Sequence, residues 1–96
     1  MRLSRGEVIG YNFDRMTVEF TMRNQDRRVL CAVSTAAMDD LERRNDVQPH
    51  ERVDQFMRLR DAIEERASQK FFEGPVEAQA PVVLLRSEDF DPQRGG

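Results

Sequence analysis

The run from Val29 to Leu41 constrains this chain more than any other segment. Val29, Cys31 and Val33 share one face at the period of two that a strand imposes, in a stretch of β-branched and small apolar residues. Ser34 or Thr35 follows, and either hydroxyl can accept from a free amide in the first turn of a helix. Ala36, Ala37, Met38 and Leu41 then favour helix, and Asp39 and Asp40 sit early enough to suit its dipole. A strand that hands straight over to a capped helix points to a mixed fold class.

The flanking segments extend that reading. Residues 7–13 read as a short strand with Ile9, Tyr11 and Phe13 on one face, and Gly10 is placed for a bulge. Residues 16–23 alternate, with Met16, Val18, Phe20 and Met22 against Thr17, Glu19, Thr21 and Arg23, as in a half-buried antiparallel strand. The polar turn Asn24–Arg27 joins this run to a strand at 28–34 as a hairpin. Arg43 to Asp46 ends the first helix, with Asn45 suited to a left-handed conformation.

Pro49 opens a longer helix to about Phe72, with Val53, Phe56, Met57, Ile63, Ala67 and Phe71 on one stripe. Asp54–Arg58 and Arg60–Glu64 stand at four-residue spacing on it. Gly74-Pro75 stops this helix, and residues 75–81 form a loop. Val82 to Leu85 reads as a strand buried on both faces, which places it inside the sheet. The expected fold is α+β: a small four-stranded, mostly antiparallel sheet in the order β-β-β-α-α-β, with two helices on one face. Residues 1–90 make one domain, and 91–96 a flexible C-terminal tail.

Composition excludes several functions. Lysine plus arginine number 15 against 18 acidic residues, for a net charge of −3. A net acidic chain is a poor match for a phosphate backbone, so no nucleic-acid partner is expected. Apolar residues nowhere run together for the roughly 18 positions that a membrane helix needs, and no signal peptide or membrane partner is expected. The single cysteine excludes an intramolecular disulfide and a cysteine metal cluster, and a reducing, cytoplasmic setting is the simplest expectation. No nucleotide-binding loop, HExxH helix, GxSxG elbow or CxxC pair occurs, so no cofactor is expected.

Four motifs in order resemble one known family. They are Arg15-x-x-Val18-x-Phe20, then Val29-x-Cys31-x-Val33-Ser34 leading into Thr35-Ala36-Ala37-Met38-Asp39-Asp40-Leu41. Phe56, Arg60, Ile63 and Glu64 follow on the long helix, and Val83, Leu85, Asp89 and Phe90 close the set. Together they resemble the small bacterial domain-of-unknown-function family 1488, over about residues 7 to 90. The resemblance implies a compact α+β domain of proteobacterial origin, and it carries over no activity.

Individual residues offer chemistry only against plainer roles. Cys31 could be a nucleophile with His50 as base, but its place between Val29 and Val33 suits a small core residue better. His50 stands beside Pro49 at a helix start and has no metal-ligand partner in sequence. Asp39-Asp40 with Glu42, and Glu64-Glu65, could pair as carboxylates, yet adjacent helix positions diverge by about 100°. Met16, Met22, Met38 and Met57 fit core packing better than an adaptable binding surface. Gly95-Gly96 has the form of a modifier-like terminus, but the signal is two residues long. Arg60 is the notable case, because it falls on the apolar stripe between Phe56 and Ile63. Either a carboxylate such as Asp89 holds it, or it meets an anionic ligand, or it lies along the stripe with its head in water.

These observations favour a non-catalytic domain that binds a protein partner or forms a homodimer. The alternatives are a small anionic-ligand-binding domain using Arg60, and an enzyme of unknown class.

Overall fold

The computed structural model describes residues 1–90. The tail expected at 91–96, with Gly95-Gly96, lies outside the described residues. Strand β1 (Ser4–Asn12), β2 (Thr17–Asn24) and β3 (Arg27–Ser34) lead into helix α1 (Thr35–Glu42). A single 3-10 turn (Pro49–Glu51) precedes helix α2 (Arg52–Glu73), and β4 (Val83–Leu85) and a 3-10 turn (Ser87–Phe90) complete the order. The sheet runs β1-β2-β3-β4, antiparallel except for the β3–β4 pair, which is parallel. A parallel neighbour needs a long crossover, and α1 and α2 provide it. The α+β expectation holds.

The core forms where the alternating strands meet the helices. Val18, Phe20 and Met22 of β2 and Val29, Cys31 and Val33 of β3 are buried against Ala37, Met38, Phe56, Ile63 and Ala67. Phe20 and Phe56 stack with ring centroids 4.9 Å apart. Ser34 caps α1, accepting from the Ala37 amide at 3.0 Å. Arg43, with φ 54°, takes the left-handed position expected of Asn45.

Strand β1 departs from simple alternation. Its register against β2 shifts between Arg5 and Val8 and again between Val8 and Gly10, where Gly10 has φ 143°. The Thr21 hydroxyl fills the first irregularity by accepting from the Glu7 amide at 2.9 Å. Gly6 is needed there, because a Cβ would collide with the Thr21 backbone carbonyl. The shifts turn Val8 and Tyr11 toward the core, leaving Ile9 50% and Phe13 70% exposed, contrary to the expected shared face. Met16 also leaves its expected face, since Asn12 pairs with Thr17 and Met16 falls in the intervening turn at φ 54°.

Strand β4 is an edge and not an internal strand, because its one neighbour is β3. Val83 and Leu85 are buried in the core, while Leu84 lies half-buried on the sheet's outer face.

Candidate functional site

Cys31 and His50 are not brought together. Cys31 is fully buried in the core, and burial pushes its thiol up to about 12, so the group is protonated at neutral pH and inert as a nucleophile. His50 is exposed on the 3-10 turn ahead of α2. No group of His, Cys, Asp and Glu able to hold a metal ion occurs among the described residues. Met22 and Met38 are buried, whereas Met16 and Met57 are exposed, so the four methionines form no common surface.

Helix α2 carries unusual polar burial, including Arg52, Gln55, Glu64, Ser68 and Lys70. Its charged members are satisfied in three clusters, facing α1, β1 and β4. Toward α1, Arg52 donates to Asp39 at 2.6 Å, and Gln55 bridges Asp39 and Glu42. Arg58 holds Glu42 in a fork of 2.8 and 2.9 Å, and this keeps the Glu42 carboxyl below its ordinary range. Asp39 and Glu42 of α1 are therefore occupied by arginine and glutamine, while Asp40 is exposed.

Toward β1, Glu64 accepts from Arg5 at 2.8 Å and from Arg60 at 2.9 Å. Arg60 also donates to the Gly6 carbonyl at 3.2 Å, and its side chain is only 15% exposed. The four-residue Arg60–Glu64 spacing thus forms a pair in the fold, while the expected link to Asp89 does not. Asp89 belongs to the third cluster, at β4. There the Lys70 ammonium donates to the Leu84 carbonyl at 2.7 Å and to Asp89 at 3.1 Å. Arg66 pairs with Asp89 from the side, and the Arg86 amide donates to the same carboxylate at 2.8 Å.

With these groups engaged, the candidate surface is the free edge of β1. This nine-residue strand pairs with β2 alone. Its N-terminal half is guarded by charge, by the bulge and by Arg60 on the Gly6 carbonyl. Ile9, Phe13 and Met16 mark its C-terminal half and turn, with Tyr11 and Phe13 in edge-to-face contact at 6.1 Å. Periodicity alone missed Ile9 and Phe13 because it assigned them to the core. Gly10, a glycine inside an alternating run, was the signal that a shift would turn them out.

A family model described as a protein of unknown function, DUF1488, matches residues 6–84. The chain belongs to the DUF1488 family. Of the four motifs, the first three fall within the DUF1488 span, and the last straddles its end at β4. Among solved structures, a DUF1488 protein of unknown function from Shewanella loihica PV-4 matches with a TM-score of 0.71 at 14% identity, covering 85% of this chain and 92% of that one. That likeness is one of fold. No curated protein matches the chain. DUF1488 membership carries no activity with it, so function has to be argued from the surface. No helix among the described residues is long and apolar enough to cross a membrane.

Proposed function

We propose that this DUF1488 chain is a non-catalytic, cytoplasmic domain that acts by pairing the open edge of β1 with another polypeptide. The observation that carries the reading is the apolar end of that edge, where Phe13 is 70% and Ile9 50% exposed beside unpaired backbone. A strand edge supplies main-chain hydrogen bonds, and flanking apolar side chains add the affinity. The inert Cys31 and the isolated His50 support a non-catalytic role. An anion bound by Arg60 has less support, since Glu64 and the Gly6 carbonyl already engage that guanidinium.

Native mass spectrometry of the untagged protein, joined to amide exchange, tests this. Protection of the Val8–Asn12 amides that rises with protein concentration identifies a second copy as the partner. Protection that appears only with a purified partner identifies a different protein. Ile9→Lys is expected to abolish either while changing stability by no more than about 0.5 kcal/mol, as for other exposed sites. Amides that stay unprotected in every assembly formed would overturn the reading.

A further inference from the structure

We propose that the outer face of the sheet holds a binding site for a small ligand bearing an oxyanion, phosphate ester or carboxylate, between Arg15 and Arg86. A cleft of about 290 Å³ opens there, floored by Ala32 and Leu84 and walled by Arg15, Thr17, Ser34 and Arg86. A second hollow of about 310 Å³ shares Arg15 and Leu84 and extends beneath the loop that carries Glu77 and Gln79. The two lie on the face away from the helices, and the cluster at β4 meets their lining only through the Leu84 carbonyl and the Arg86 amide.

Three observations converge on this cleft. The first is Thr17, which is 5% exposed and whose Oγ1 is the one buried side-chain polar atom without a hydrogen-bond partner among the described residues. A buried hydroxyl left unpaired is costly, and because Thr17 lines the cleft, rotation of its side chain toward a ligand oxygen there would supply the partner. The second is the pair of arginines. Both are exposed, and neither guanidinium makes a hydrogen bond or ion pair among the described residues, as is also true of Arg2, Arg23, Arg27, Arg28 and Arg43; Arg15 and Arg86 are the two that line this cleft.

The third is that the backbones bearing these arginines are fixed although their side chains are not engaged. The Arg15 amide donates to Asn12 Oδ1 at 3.1 Å, and the neighbouring Met16 carbonyl accepts from the Thr35 amide at 2.9 Å. The Arg86 amide is held by Asp89 at 2.8 Å. Binding then immobilises two side chains without having to order a loop.

The wall offers donors and no carboxylate. Two guanidiniums match the planar fork of a phosphate or carboxylate. Ser34 uses its oxygen to accept from Ala37 and still has a proton to give. The apolar floor suits a small hydrocarbon or ring attached to the anion, and the volume limits the ligand to small-molecule size. Glu77 in the adjoining hollow discourages a second negative group at that end.

Titration of the full chain with inorganic phosphate, phenyl phosphate and benzoate, followed by amide NMR shifts, tests the site. Saturable shifts are expected at Thr17, Ser34 and Arg86, with none at Arg60 or Glu64. Tighter binding of phenyl phosphate than of phosphate would confirm use of the apolar floor, and benzoate against phenyl phosphate separates carboxylate from phosphate. Arg15→Gln with Arg86→Gln should weaken binding at least about tenfold, the scale of losing a charge-assisted hydrogen bond, and should leave the spectrum folded. Thr17→Val should weaken it severalfold in a folded protein. Shifts that grow linearly and equally with chloride, or that survive the double substitution, would overturn the proposal.

Discussion

The two edges of this sheet solve the same problem in opposite ways. Strand β4 is three residues long and closed: Lys70, Arg66 and Asp89 clamp it to α2, and its backbone reaches back through the Val82 amide to the Leu30 carbonyl at 3.1 Å. Strand β1 is nine residues long, bulged and open, with large apolar side chains at its far end. The apolar strand by sequence is the sealed edge, and the glycine-bearing strand is the available one. Apolar content therefore says how much of a strand is covered, and says little about where it sits in the sheet. A three-residue strand can be wholly apolar at an edge when a helix and a following turn cover it.

The sharpest way to break this contrast is to unlock β4. Lys70→Ala removes the buried cation shared by the Asp89 carboxylate and the Leu84 carbonyl and leaves Asp89 to Arg66 and the Arg86 amide, at an expected cost of about 1.5–3 kcal/mol in urea unfolding. A loss below about 0.5 kcal/mol would mean that β4 is held by packing alone. On the β1 side, Gly6→Ala drives a Cβ into the Thr21 carbonyl, and an overpacking cost of about 1–3 kcal/mol is expected. Amide exchange should then rise across Arg5–Val8 but not at β4.

Thr17→Val has the opposite sign. It replaces an unpartnered buried hydroxyl with a methyl group and should stabilise the fold by about 1 kcal/mol, read as a higher thermal midpoint. The smallest effect lies away from both edges. Arg58 holds Glu42 below its ordinary range, so that pair contributes fully above the unfolded carboxyl value of about 4.3 and is lost as pH falls through the lower folded value. The stability gap between the native chain and Arg58→Gln should therefore close on acidification, with exchange at both edges unchanged.

Much of the fold was legible because its signals were local. The alternation of Val18, Phe20 and Met22, the Ser34 cap and the Arg60–Glu64 spacing each need only a few neighbouring residues. Most of the misreadings involved a partner distant in sequence or a change of period. The bulges reversed Ile9 and Phe13, and a left-handed turn removed Met16 from its strand. Met57, on the expected stripe, is 49% exposed beside Arg60, with sulfur to guanidinium at 3.9 Å. Gln55 and Lys70 lie outside the expected apolar stripe, yet they are buried, with Asp39 and Asp89 reaching them from 16 and 19 residues away. The outer cleft was illegible for the same reason: Arg15, Thr17 and Ser34 meet Arg86 only after the crossover returns β4 to the sheet.

Lys70 is the chain's one lysine, and it is 5% exposed. An acylating reagent or a lysine-modifying transferase thus finds no side-chain amine on the native surface. Its reaction at that position becomes a clock for the opening of the β4 edge, ticking only when the clamp releases and the ammonium meets water.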